Sequence, residues 1–229
     1  MNTSTNMMMH RYLMLTTPLY LLLLLCTIST TTAAESTEDT TEVDKALGAL
    51  MEAIQKNDAK GIQKASKLPS FEFAINAQDP RSGQTPLMQA TLQGRKPSTI
   101  RALMNSGADA SIGEYMGYTP MHGVGFQGRH DLAEVFVSEF GLNVDDVHED
   151  GFTPLHRACW GGEERHTKTV EVLIGLGANP DKCGPEQAAG AEEGEGGASC
   201  QHPVDLTQNL ATKRVLLEHA KRYGLGSEL

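Results

Sequence analysis

A single dipeptide recurs at a fixed interval. Thr-Pro pairs begin at Thr85, Thr119 and Thr153, each 34 residues after the last. The fullest copy reads Gly151-Phe152-Thr153-Pro154-Leu155-His156-Arg157-Ala158. Gly83-Gln84-Thr85-Pro86-Leu87-Met88-Gln89-Ala90 and Gly117-Tyr118-Thr119-Pro120-Met121-His122 are earlier copies. A threonine in this place is a good helix N-cap, because its hydroxyl accepts an orphan backbone N–H. Proline at the first helical position loses no hydrogen bond and presets φ. Leu155 and Ala158, three residues apart, then form a narrow apolar face, and the small alanine lets a neighbouring helix come close. A helix–turn–helix of this size cannot bury its own face, so the copies must stack.

A period near 33 residues carrying T-P-L-H-x-A resembles the ankyrin repeat. The trailing Gly107-Ala108 and Gly177-Ala178 agree with it. The resemblance implies an all-α, ankyrin-repeat α-solenoid of stacked helix–turn–helix units with short hairpin fingers, and it implies binding rather than catalysis. Five units are expected within residues 43–223: an N-terminal cap over 43–80, full repeats over 81–114, 115–148 and 149–181, and a C-terminal cap over 202–223, followed by a tail at 224–229. In the N-terminal cap, Val43, Leu47, Leu50 and Ile54 follow a helical period that Asn57-Asp58 breaks. Outer helices are expected to carry Ile100 and Leu103, then Leu132, Val135 and Phe136, then Val170, Val172 and Leu173. Gly turns are expected at Gly94, Gly128 and Gly162. The last helix is expected to bury Val215, Leu216 and Ala220. Two insertions stretch the fourth unit: a long turn over 161–167 and a Gly-, Ala- and Glu-rich insert over 183–200.

The front of the chain has another character. Residues 1–34 hold Arg11 and no acid, an apolar run from Leu13 to Ile28, and small residues up to Ala34. This is the pattern of a secretory signal peptide. The alternative is an uncleaved anchor, against which stand Pro18 and a run shorter than the roughly 20 residues of a full span. Residues 35–42 are a polar, acidic linker. The chain is therefore expected in the secretory pathway or outside the cell, with no membrane attachment after cleavage, as a monomer. Its net charge of −10 disfavours nucleic acid as a partner, since phosphates would be repelled.

Several motifs invite a chemical reading. Gly123-Val124-Gly125-Phe126-Gln127-Gly128 matches G-x-G-x-x-G, but a dinucleotide site needs a preceding strand and a βαβ unit. Here the motif falls inside an inner helix, where each glycine costs roughly 1 kcal/mol relative to alanine, so packing must compensate. His148, His156, Cys159 and His166 cluster in the fourth repeat without metal-ligand spacing. A metal- or cofactor-binding protein or an enzyme using that cluster is the alternative function. No nucleophile elbow or P-loop is present, and neither catalytic residues, metal nor cofactor are assigned. Cys183 and Cys200 bracket the insert and are candidates for a disulfide worth roughly 3 kcal/mol; the alternative is two free thiols. Cys159 reads as a small buried residue.

The partner-binding candidates follow from the resemblance. Seven residues after the motif threonines stand Leu92, Phe126 and Trp160, at the end of the inner helix, which in ankyrin proteins belongs to the concave binding face. Gln127 neighbours this place. The fingers, also part of that surface, supply Tyr115, Met116 and Tyr118, then Glu149, Asp150 and Phe152. Arg129 and Arg157 are expected to bring positive charge to it. Such a patch would take an acidic or aromatic segment of a protein partner, with aromatic anchors. In the other reading Phe126 and Trp160 pack on each other to repair the Gly-rich helix.

Overall fold

The computed structural model describes residues 40–184 and 200–223. The signal-peptide expectation, the first five linker residues, the insert from 185 to 199 and the tail lie outside the described residues. The chain divides into two units, 1–45 and 46–229. In the first, residues 40–45 are helical, so the last three residues of the expected linker belong to a helix instead.

The second unit is a stack of helix pairs. It opens with α1 (46–55) and α2 (Ala59–Ala65), followed by one helical turn, α3 (Phe71–Ala74). Four pairs follow: α4 (Pro86–Leu92) with α5 (Pro97–Asn105); α6 (Pro120–Gln127) with α7 (His130–Glu134), which continues as a wider π turn over Val135–Glu139; α8 (Pro154–Cys159) with α9 (Glu164–Gly175); and α10 (Pro203–Leu206) with α11 (Leu210–Tyr223). Inner helices pack in the order α4, α6, α8, α10, and α7, α9 and α11 pack in turn behind them. Leu87, Ile100, Leu103, Leu132, Phe136, Leu155, Val170 and Leu173 are fully buried between the layers. Val172 and Val215 are only half-buried, and Thr212 and Leu216 turn inward on α11. The long turn expected over 161–167 is shorter, since α9 already starts at Glu164. Gly94 and Gly128 take left-handed turns, while Gly162 does not.

The Thr-Pro pairs do what the sequence asks of them. Thr85 Oγ1 accepts the Met88 N–H at 3.2 Å. In α6 and α8 the arrangement is reciprocal: the backbone N–H of Thr119 donates to His122 Nδ1 at 3.3 Å, and that of Thr153 to His156 Nδ1 at 3.1 Å. Each histidine thus acts as the fourth residue of a capping box. His202-Pro203 replaces Thr-Pro at α10, and there Asp205 takes the returning bond from the His202 N–H at 3.3 Å.

Between the pairs run the fingers, each closed at its base by one backbone bond. These are Asp79 N to Gln84 O at 3.0 Å, Glu114 N to Tyr118 O at 3.1 Å, His148 N to Phe152 O at 3.1 Å and Gly184 N to Gln201 O at 2.9 Å. The last is the only β-bridge among the described residues. Gly117 and Gly151 hold φ at 84° and 81°, a left-handed turn that side-chain-bearing residues rarely adopt. Each finger is tied to the one before: Tyr115 N donates to Ser82 O at 3.2 Å, and His148 Nε2 lies 2.6 Å from Met116 O.

Candidate binding face

Two helix ends and two fingers converge around one side chain. Arg157 leaves the middle of α8 and runs across α6 at Gly125, where a Cβ would lie 2.9 Å from the Arg157 Cβ and closer still to Pro154 O. Glycine there lets the two helices approach, which is the compensation for its poor helix propensity. The guanidinium ends among four rings. Its central carbon lies 4.4 Å from the centroid of Trp160, 4.8 Å from Tyr118, 5.0 Å from Phe126 and 5.1 Å from Phe152. Its counter-charge is Asp150, seven residues upstream on the finger. Tyr118 completes the cluster: its hydroxyl donates to Asp150 Oδ2 at 3.2 Å and accepts from Arg157 Nη2 at 3.3 Å. Desolvated cation–π contacts of this kind contribute up to about 2 kcal/mol each.

Arg157 is only 2% exposed, which corrects the expectation that it brings charge to the surface. The cation is spent inside the cluster, where it neutralises Asp150 and lies against the four rings. Arg129 is corrected likewise. Its Nε and Nη2 each lie 2.8 Å from Asp131, and Nη2 donates to Arg95 O at 2.9 Å. Burial pushes the Asp150 carboxyl upward, but hydrogen bonds from Arg157, His148 and the Phe152 amide outweigh that and hold it well below the usual carboxylate range.

The rings pack against each other: Phe126 on Trp160 with centroids 6.0 Å apart, Phe152 on Trp160 at 5.2 Å and Tyr118 on Phe126 at 5.6 Å. His148 stacks on the far side of Tyr118 at 3.9 Å. Phe126 and Trp160 pack on each other, as one sequence reading expected, and remain 38% and 44% exposed. Tyr115 and Met116 are 62% and 68% exposed on their finger, where the Tyr115 ring lies against Gly83 of the finger before. Glu149 is exposed on the following finger; Tyr118, Gln127, Asp150 and Phe152 are half-buried.

The His/Cys cluster of the fourth repeat is dispersed. His148 binds the finger before it, His156 caps α8, and His166 Nε2 lies 3.2 Å from Phe126 O, with its ring under Gly161. Among the described residues no three His, Cys, Asp or Glu side chains are placed to hold a metal. Burial lowers the His156 pKa to about 4, against the pull of the Lys182 and Gln201 backbone, so the ring is neutral near pH 7. Burial likewise raises the Cys159 thiol to about 12, which removes it as a nucleophile. Cys183 and Cys200 are bonded, with Cα atoms 5.4 Å apart, at the base of the last finger.

Sequence reasoning missed the pairing of Asp150 with Arg157. The seven-residue separation across a finger and a helix is no local signal; the Gly123 and Gly125 gap in α6 was the available one.

Residues 150–185, spanning the finger, α8 and α9, match the family model of the ankyrin repeat. The chain carries an ankyrin-repeat solenoid. Curated relatives agree. Over 103 residues it is 31% identical to SH3 and multiple ankyrin repeat domains protein 2 of Homo sapiens, covering 44% of this chain and 6% of that protein. Over 99 residues it is 28% identical to the human BCL-6 corepressor-like protein 1, covering 43% and 5%. Over 112 residues it is 29% identical to alpha-latrocrustotoxin-Lt1a of Latrodectus tredecimguttatus, covering 49% and 8%. The matches thus span less than a tenth of each of these relatives. Ankyrin repeats generally mediate protein–protein interaction, and the family is typically non-enzymatic. No helix among the described residues is long and apolar enough to cross a membrane.

Proposed function

We propose that this chain is a binding module of the secretory pathway that engages a protein partner through the aromatic face of its third and fourth repeats. One observation carries the reading. Phe126 and Trp160 expose apolar surface around the buried Arg157, which half-buried Asp150 neutralises, and Tyr115 and Met116 are exposed on the preceding finger. An aromatic surface held in place before binding loses little entropy when a partner docks, and aromatic residues dominate interface hot spots. The alternative use of the His/Cys cluster finds no such support, because each ring nitrogen it would need is engaged or buried.

Trp160→Ala is the test. Affinity for the native partner should fall by about 2 kcal/mol or more, the scale of a hot spot. Stability should fall less than the roughly 3–5 kcal/mol of a fully buried tryptophan, because nearly half the residue is in solvent. Unchanged affinity with a large loss of stability would return Trp160 to a packing role. For the compartment, the native protein should begin near Glu35 and retain the Cys183–Cys200 bond under non-reducing conditions. Mass spectrometry that finds residues 1–34 attached, or both thiols alkylated, would remove the secretory part and leave the binding part standing.

A further inference from the structure

The last finger closes differently from the others and rests on the aromatic cluster. Glu114 and Tyr118, like His148 and Phe152, are four residues apart where their backbone bond forms, but Gly184 and Gln201 are seventeen apart. One hydrogen bond contributes little net stability, and here the Cys183–Cys200 bond stands beside it. Cys183 is exposed and Cys200 half-buried, so an external thiol can reach the pair. Gly184 itself is buried, and a Cβ there would lie 2.6 Å from Phe152 Cε1 and 2.9 Å from Cδ1. Its backbone is not left-handed, so the ring, and no turn, is what requires glycine. Phe152 in turn meets Trp160 at 5.2 Å and the Arg157 guanidinium at 5.1 Å. The Lys182 and Gln201 backbone flanks the His156 ring, which caps α8. Both limbs of the finger therefore lie on the residues that open the fourth repeat and carry its rings.

We infer that the Cys183–Cys200 bond is a redox latch on the aromatic face: oxidised, it holds Gly184 against Phe152 and so fixes Trp160 and Arg157; reduced, it lets Gly184 leave the ring and the face slacken. This rests on the binding function proposed above and adds its regulation. The chemistry is thiol–disulfide exchange with a partner that carries a disulfide when oxidised and a dithiol when reduced. In the closing direction the thiolate of Cys183, the exposed cysteine, attacks the partner's disulfide, and the partner's second sulfur leaves as a thiolate. The Cys200 thiolate then displaces the partner from the mixed disulfide. Two electrons and two protons pass from the cysteines, and the partner departs as a dithiol. Reduction by a dithiol runs the same steps backwards. Cys159 is buried and stays out of the exchange. A chain that has met no oxidant thus carries the repeat frame with a slack face, and its rings must be ordered at the moment of binding, which costs affinity.

Amide hydrogen exchange and acrylamide quenching of Trp160, the only tryptophan in the chain, test this on the full protein. Three forms are compared: oxidised, reduced with a small dithiol, and Cys183→Ser/Cys200→Ser. Loss of the bond should speed exchange over residues 150–160 and raise quenching, while exchange in α4 and the helical circular dichroism stay as they were. Reoxidation should restore the wild type. Gly184→Ala keeps the bond but pushes a methyl group at the Phe152 ring, so the oxidised variant should quench like the reduced wild type. Peptides selected from a random display library on the oxidised protein, and dependent on Trp160, should bind the double serine variant about five- to tenfold more weakly, within the usual range of coupling between sites. Unchanged exchange and quenching on reduction, a Gly184→Ala chain that reads as wild type, or equal peptide binding to both forms overturns the latch and leaves the binding function standing. Helicity lost throughout on reduction overturns it too, because the bond would then be a general staple. A library that yields no Trp160-dependent peptide overturns the binding function and the regulation built on it.

Discussion

In the second repeat, the residue seven beyond the motif threonine is Leu92, half-buried, and the residue four beyond is Gln89. In the third and fourth repeats those places hold Phe126 and Gly123, then Trp160 and Arg157. The residue before the threonine is Gln84 in the second repeat but Tyr118 and Phe152 in the others. The backbone frame is the same in all three: proline-led inner helix, left-handed glycine in the finger, one closing hydrogen bond. What differs is volume. A guanidinium can enter the seam between α6 and α8 only because α6 gives up its side chain at Gly125, and the rings can gather only because the guanidinium is there to be surrounded. The frame is generic, while the face is built by trading helix propensity in one repeat for a buried charge from the next.

The largest test of that trade removes the charge's partner. Asp150→Asn keeps the size but leaves Arg157 buried without a counter-ion, and urea unfolding should show a loss of about 3–5 kcal/mol. Met116, the equivalent finger position one repeat earlier, is exposed, and Met116→Ser should stay within about 0.5 kcal/mol. Equal effects at the two positions would mean that the pair contributes nothing the generic frame lacks.

Acid separates the repeats in another way. The native His156 pKa of about 4 lies below the roughly 6.5 of an unfolded histidine. Below pH 6.5 the unfolded chain takes up a proton that the native ring refuses. Stability is therefore complete above pH 6.5 and declines as pH falls toward 4, by about 3 kcal/mol in full. His122, also lowered chiefly by burial, adds in the same direction. The second repeat has Met88 in this place and contributes nothing. Urea midpoints for wild type and His156→Gln across this range should converge at low pH; parallel curves would show that the ring is accessible to protons in the native state.

Glycine substitutions give the finest contrast. Gly125→Ala places a methyl group against the Pro154 carbonyl, a backbone atom that cannot rotate away, and should cost about 3 kcal/mol as overpacking. Gly123→Ala meets side-chain atoms at ordinary contact distance, Leu92 and Thr91 at 3.4 Å and Met88 Sδ at 3.7 Å. There the gain in helix propensity, up to about 1 kcal/mol, should leave the protein unchanged or slightly more stable. Thermal melts of the two variants should move in different directions or by clearly different amounts.

Much of this was legible in the sequence. The Thr-Pro spacing marks the inner helices, and the positions seven residues on mark the helix ends where Phe126 and Trp160 gather, because both are fixed by register within one repeat. Leu155 reads as core for the same reason. The fate of Arg157 was not legible, since its surroundings come from α6 and from two fingers, and nothing local distinguishes an arginine that reaches solvent from one that turns into a seam. Arg129 was misread on the same ground: Asp131, two residues away, captures it, and the Arg95 carbonyl that completes the capture belongs to the preceding repeat. Val215 and Leu216 show a smaller failure of the same kind, where a helix of uncertain phase left two adjacent apolar residues undistinguished until packing chose Leu216.

The clamp between Gly184 and Gln201 has a bearing on how such a protein changes over generations. The bond that closes a four-residue reach between Glu114 and Tyr118 also closes one of seventeen residues here. With the cross-link beside it, α8 and α10 receive the same geometry whatever chain is spelled out beyond. Loop closure costs grow only with the logarithm of length, so this junction can accept, lose or exchange sequence while the helices on either side keep their spacing. It is a splice point built into a repeat, where novelty can be tried without renegotiating the architecture that carries it.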